Sequence, residues 1–377
     1  MTMHNFHIPH TYSGRPLFNI NITTATDCPD TNNAKPPLSG LCLRQDAWFD
    51  SDTPDTTFLR WVNNIVIRVY LKNIWPEEHR FNFSVITDWM AWARRMQEQH
   101  GLDIHFKLRI ICGCFAPAWM RQQCGSFPLS SEGFEGLPGF EEASTHCVKF
   151  WSDEYLALWA ELMQALSDQF DDDKYFNEVV MSATGPGTGE AMEFAISNNG
   201  SGEVRRDQYI AGGANSANVR AAIISGMDAM AAYQRTNIGI ALTKYWHMEN
   251  PTFGEIETTK EFGEHLASNY RGRAVLGNNG LRTTDAPDGD KWAAPEGHMW
   301  QLQQHYRIMR VRYGSRIYNQ TASIPNMGGV DNLIPTLNRG LEYMTSLVEL
   351  PDNENKIKQY LNNPQQAVYK AAYKRNE

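Results

Sequence analysis

From about residue 58 to residue 350 the chain alternates two kinds of segment, and this alternation narrows the folds open to it. Residues 64–70 (NIVIRVY) are β-branched and alternating, which predicts a strand. Residues 83–100 carry Ile86, Trp89, Met90, Ala93 and Met96 at helical spacing, and Gly101 ends that helix. Strands are then expected at 104–111, 179–183, 238–245, 274–277, 316–322 and 346–350. Helices are expected between them at 155–169, 217–235, 259–270, 299–313 and 333–344. Strands separated by helices imply a parallel sheet. A candidate at 17–23 brings the count to eight strands, and eight units suit closure into a (β/α)8 TIM barrel. The expected layout is an irregular N-terminal extension at 1–57 that includes the first barrel strand, a barrel at 58–352, and a helical tail at 353–377.

The bulk properties exclude several function classes. A net charge of -9, with no basic block beyond Lys370, Lys374 and Arg375 near the end, argues against nucleic acid as a partner. No apolar run is long enough to span a bilayer. The N-terminus lacks a basic segment followed by an apolar core, so it does not read as a signal peptide; a secreted or surface location stays open. There is no Walker loop, GxGxxG or GxSxG motif, no cofactor is expected, and the spacing of His4, His7 and His10 around Pro9 does not suit a metal. Four Asn-x-Ser/Thr matches, at Asn21, Asn82, Asn199 and Asn319, read as chance. Cys112 and Cys114 read as small core residues on one strand face, and Cys124 with Cys147 as a disulfide pair in an oxidising compartment.

The segment that points to chemistry runs from Glu178 to Glu190. Short apolar residues at 179–183 give way to a Gly/Pro-rich turn that delivers Glu190. A barrel presents a general acid at its C-terminal face in this way. The plain alternative for Glu190 is a carboxylate that serves a helix N-terminus, and Glu193 is its neighbour in sequence.

Several short motifs carry a family resemblance. Residues 64–70 are followed by Trp75-Pro76-Glu77, Phe81-Asn82-Phe83, a helix, a strand and Pro117-Ala118-Trp119. This order resembles the large retaining clan of (β/α)8 glycoside hydrolases, and within it the family 42 β-galactosidase-like group. The segment from Glu342 to Glu349 is similar to the last helix and strand of such barrels. The resemblance covers roughly residues 58–350 as a pattern of short motifs. It implies a carbohydrate substrate and an acid/base glutamate at the end of the fourth strand, the position of Glu190. Two features depart from the family. Its nucleophile is a glutamate ending the seventh strand, where this chain has Asn319, Gln320 and Thr321. Its Asn-Glu pair is missing as well, since Thr188 and Gly189 precede Glu190.

Glycoside hydrolysis uses two carboxyl groups, about 5–5.5 Å apart for retention and about 6.5–9.5 Å for inversion. The candidates for the second are Glu349, Glu249 and Glu296. Glu349 sits in an apolar run and needs a partner or a role, although strand eight lies across the barrel from strand four. Glu249 follows the adjacent strand five, and Glu296 lies in a polar, solvated loop. Trp75, Trp119, Trp246 and Trp292 follow strands on one predicted face, where aromatic rings suit sugar faces; each could equally be packing. Arg68 and Arg109 lie within strands, where an inward arginine requires a carboxylate. Asn278, Asn279 and Gln320 end strands six and seven and suit sugar hydroxyls, with His247 as a further polar candidate. Two functions follow: a glycosidase, or a non-catalytic carbohydrate-binding or structural barrel of a larger surface or viral assembly.

Overall fold

Eight parallel strands close on themselves in the order expected of a (β/α)8 barrel. They are β1 (Gly40–Arg44), β2 (Asn64–Tyr70), β3 (His105–Ile111), β4 (Phe176–Val180), β5 (Asn237–Ala241), β6 (Ala274–Leu281), β7 (Arg316–Thr321) and β8 (Leu347–Glu349). The computed structural model describes residues 33–44, 55–129, 143–187, 189–191, 201–250, 254–283, 285–286, 289–351, 357, 361 and 363–376.

The first strand is Gly40–Arg44, which takes the place assigned from sequence to 17–23. Cys42 is in register with Glu349 of β8 on one side and with Asn64 of β2 on the other, which closes the ring. The Asn64 amide donates to the carbonyls of Ser39 (2.7 Å) and Leu41 (3.0 Å), pinning β1 to its neighbour. Residues 17–23 lie outside the described residues.

Helices Ser84–His100, Asp153–Phe170, Ser216–Asp228, Ile256–Asn269, His298–Tyr313 and Leu333–Glu342 follow β2 to β7. Their starts are chemically marked in places. The Ser152 hydroxyl accepts the Tyr155 N–H, and Asn215 and Asn218 form a reciprocal capping box. Among the described residues β1 is followed only by the short helix Thr56–Leu59. The final helix, Asn363–Lys374, makes good this thin cover. Lys370 packs against Gly40 and donates to the Arg60 carbonyl (2.9 Å), and the Tyr373 hydroxyl donates to the Leu337 carbonyl (2.6 Å). The tail therefore docks on its own barrel.

Side chains alternate across each strand. On β3, Phe106, Leu108 and Ile110 are fully buried in the large apolar cluster shared with the helices. Each such side chain contributes roughly 1.5–3 kcal/mol by leaving water. The other face points into the lumen, where Cys42, Val66, Val275, Tyr318 and Leu347 form a small separate cluster. Lys107, Arg109, Glu178 and Glu349 share that interior and are also buried.

Candidate active site

The lumen is built around charge. Lys107 of β3 is in register with Glu178 of β4, and its ammonium lies 2.8 Å from that carboxylate. The same ammonium lies 3.0 Å from Glu349, at the end of β8. Arg109, two residues further along β3, donates to both Glu349 oxygens at 3.0 Å. Burial alone would raise the Glu349 carboxyl, but the Arg109 guanidinium and the Lys107 ammonium hold it down at about 2. Burial would likewise lower Lys107, and Glu178 and Glu349 together reverse this, so the ammonium stays charged. Glu178 is raised, because burial, with the nearby Glu349 carboxylate, outweighs the Lys107 ammonium and the Arg109 guanidinium.

Small residues opposite make room for this network. The Tyr318 ring covers the Lys107 ammonium at 3.3 Å from its centroid. Gly277 of the adjoining strand leaves the space, since a Cβ there would overlap that ring. On β5, the strand next to β4, a Cβ on Gly239 would crowd the Glu178 carboxylate.

Arg109 connects this interior to the mouth. Its other nitrogen donates to Gln320 Oε1 (3.2 Å) and lies 3.8 Å from the Glu190 carboxylate. Glu190 and Glu349 thus share one guanidinium, although one follows β4 and the other ends β8. The long side chain of Arg109 spans the gap that separates those strands. The β4 ladder ends at Val180, three residues before the expected strand end, and the chain then turns across the top of β3. The Ser182 hydroxyl donates to the Ile110 carbonyl (2.7 Å), and the Thr184 hydroxyl to the Ala191 carbonyl. Gly189, at φ +72°, lies where a Cβ would press on the Arg109 side chain. Glu190 keeps 9% of its surface exposed, so it borders solvent, whereas Glu349 has none.

The remaining candidates divide. Asn279 is in register with Gln320, and its carbonyl oxygen is buried without a hydrogen-bond partner among the described residues. Asn278 faces the other way, donating to the Leu242 carbonyl and to Met299 Sδ, so it packs the wall instead of lining the mouth. Trp75 and Trp292 also depart from the sugar-platform expectation, because both are buried. Trp75 packs edge-on to Trp119 at 5.2 Å, and Trp292 lies beside Tyr343 at 6.2 Å. Trp119 and Trp246 remain partly exposed. His247 pairs with Glu255 at 3.2 Å. Glu249 accepts the Ser216 N–H (2.8 Å) and the Ser216 hydroxyl at the start of helix Ser216–Asp228. Burial pushes that carboxyl up, and these two bonds hold it below the usual range. Glu296 is exposed, Arg68 is half-buried, and Glu193 and the three N-terminal histidines lie outside the described residues.

The disulfide joins Cys114 to Cys147, and Cys124 is a buried free thiol, which corrects the expected Cys124–Cys147 pair. Cys114 also leaves the strand face expected for it. β3 ends at Ile111, and Cys114 lies in the turn Gly113–Phe115, facing residue 147.

Lys107 and Glu178 are the site residues not singled out from sequence. The available signal was a charge in the middle of an apolar strand, the argument applied to Arg109 and Glu349. The described residues contain no group of three His, Cys, Asp or Glu side chains placed to hold a metal, and no helix long and apolar enough to cross a membrane.

No protein-family model and no curated protein matches the sequence. Solved structures with a similar course of chain are glycoside hydrolases. Endo-glycoceramidase II from Rhodococcus sp. is 12% identical, with a TM-score of 0.48 over 91% of this chain and 79% of that one. The β-galactosidase from Rahnella sp. R3 is 11% identical, with a TM-score of 0.48 over 92% of this chain and 58% of its own. A β-glycosidase is 11% identical, with a TM-score of 0.44 over 90% and 96% of the two chains.

Proposed function

We propose that the protein is a glycoside hydrolase-like barrel that takes an oligosaccharide or polysaccharide at its C-terminal mouth. Glu190 protonates the leaving oxygen. The observation that carries this reading is the placement of Glu190: a solvent-bordering carboxylate after β4, set against Arg109 and Gln320. Asn279 and Gln320 offer amides to sugar hydroxyls, and Trp119 and Trp246 offer ring faces beside the mouth. His247 is a further polar group on that side.

Glu349 acts from below. A fully buried carboxylate, bonded through both oxygens to Arg109, has no lone pair turned to water. Its role is to position Arg109, which in turn faces Glu190. Glu249 is the carboxylate left to activate water, and it must first release Ser216.

A second reading, a barrel that binds carbohydrate without cleaving it, is favoured by Gln320. An amide stands near the end of β7, where the resembling enzymes carry their nucleophile. The test is Glu190→Gln, assayed on a panel of aryl glycosides and oligosaccharides. Hydrolysis is expected to fall by about 100-fold or more with the unfolding temperature unchanged. Full activity in the variant overturns the assignment. Glycan binding by the wild type that survives the substitution, with no turnover, establishes the binding reading.

A further inference from the structure

We infer that the Cys114–Cys147 disulfide is a redox-controlled strap that holds the Glu190 loop in place. The loop after β4 is clamped from two sides. On the far side Gly189 lies against Arg109. On the near side the Cys114 N–H donates to the Pro186 carbonyl (2.8 Å), and that oxygen lies 3.5 Å from Cys147 Sγ. Gly113, at φ +55°, allows this approach, because a Cβ there would overlap the Pro186 backbone. Pro186 thus rests on both halves of the cross-link, four residues before Glu190. The segment carrying Cys147 is held to the same turn by the Ser144 N–H, which donates to the Cys114 carbonyl (2.9 Å).

Of the two cysteines only Cys114 approaches solvent, with 6% of its surface exposed, whereas Cys147 is enclosed, so a reductant attacks from the Cys114 side. Cys114 lines an open cleft of about 580 Å³ with Lys72, Arg121, Asn73 and Ser144. The two cations favour an incoming thiolate and the thiolate that leaves. In the reaction a dithiol attacks one sulfur, the S–S bond breaks, and the mixed disulfide is resolved by the second thiol of the reagent. Two electrons pass to the protein, both cysteines end as thiols, and the reagent ends as a cyclic disulfide. Pro186 then loses its fixed support, and Glu190 its fixed position relative to Arg109. Cys114 and Cys147 are positioning residues in this scheme, and only the effect on turnover rests on the hydrolase reading.

The test is hydrogen exchange on the full chain before and after dithiothreitol, with alkylation and mass spectrometry to count the thiols. Reduction is expected to speed exchange at residues 182–185, 187 and 189–191 by at least about tenfold while β5 and β6 keep their protection. Cys147→Ala should give the same pattern without reductant. If the protein turns over a glycoside, kcat should fall with KM little changed. Unchanged exchange in the loop when both thiols are alkylated overturns the proposal. So does alkylation of Cys114 and Cys147 before any reductant is added, or an equal loss of protection in every strand. The exchange result requires no turnover, so it stands or falls separately from the hydrolase reading.

Discussion

The two faces of the barrel wall are built from opposite chemistry. Outside β3, Phe106, Leu108 and Ile110 meet apolar helices; inside it, Lys107 and Arg109 meet Glu178 and Glu349. Barrel interiors are usually filled with branched apolar side chains. An apolar contact is non-directional and roughly proportional to area, so losing part of it costs in proportion. A buried ion pair fails differently, because removing one partner leaves an uncompensated charge out of water. The outer face should therefore tolerate small changes that the inner face does not.

The contrast can be tested in order of expected effect. Lys107→Met strands the Glu178 carboxylate, leaves Glu349 to Arg109 alone, and is expected to cost about 3–5 kcal/mol in urea unfolding. A loss below about 1 kcal/mol would mean that the lumen charges do not hold the barrel together. Acid should find the same weakness in the unmodified protein. Glu349 is depressed from 4.5 to about 2 in the fold, so its contribution is present above about pH 4.5 and is lost as pH falls through 2. The sum over that window is on the order of 3 kcal/mol. The raised Glu178 works in the opposite direction, its cost being relieved when it takes up a proton. Urea midpoints measured from pH 5 to pH 2.5 should decline; a flat profile would remove Glu349 as the cause. Gly277→Ala pushes a methyl into the Tyr318 ring and is expected to cost about 1–3 kcal/mol. The smallest effect belongs to the outer face, where Ile110→Val should cost about 0.5–1.5 kcal/mol. If Ile110→Val proved as damaging as Lys107→Met, the contrast would collapse.

Strands β2 to β8 and their helices were readable in the sequence because each carries its own periodicity. Residues 64–70 are β-branched, and the helix at 84–100 shows an apolar stripe. β1 was not readable. It is five residues long, follows Pro36 and Pro37, contains Gly40, and owes its strand state to pairing with β2 and β8. At the site, Arg109 and Glu349 stood out as charges in apolar strands, and both proved to be paired as that argument requires. The partner of Cys147 was not readable, because it depends on the turn that carries Cys114 off the end of β3. The burial of Trp75 and Trp292 was hidden for a similar reason: sequence places a tryptophan after a strand without saying which way its ring turns.

β1 pairs with β8 and is covered by the helix Asn363–Lys374. On the ribosome, the first strand of the barrel therefore waits for the eighth, and for the helix that follows it. Until they emerge, one edge of β1 has no partner and its outer face has no cover. A nascent chain of this protein is exposed to wrong pairings until β8 and that helix have both been made.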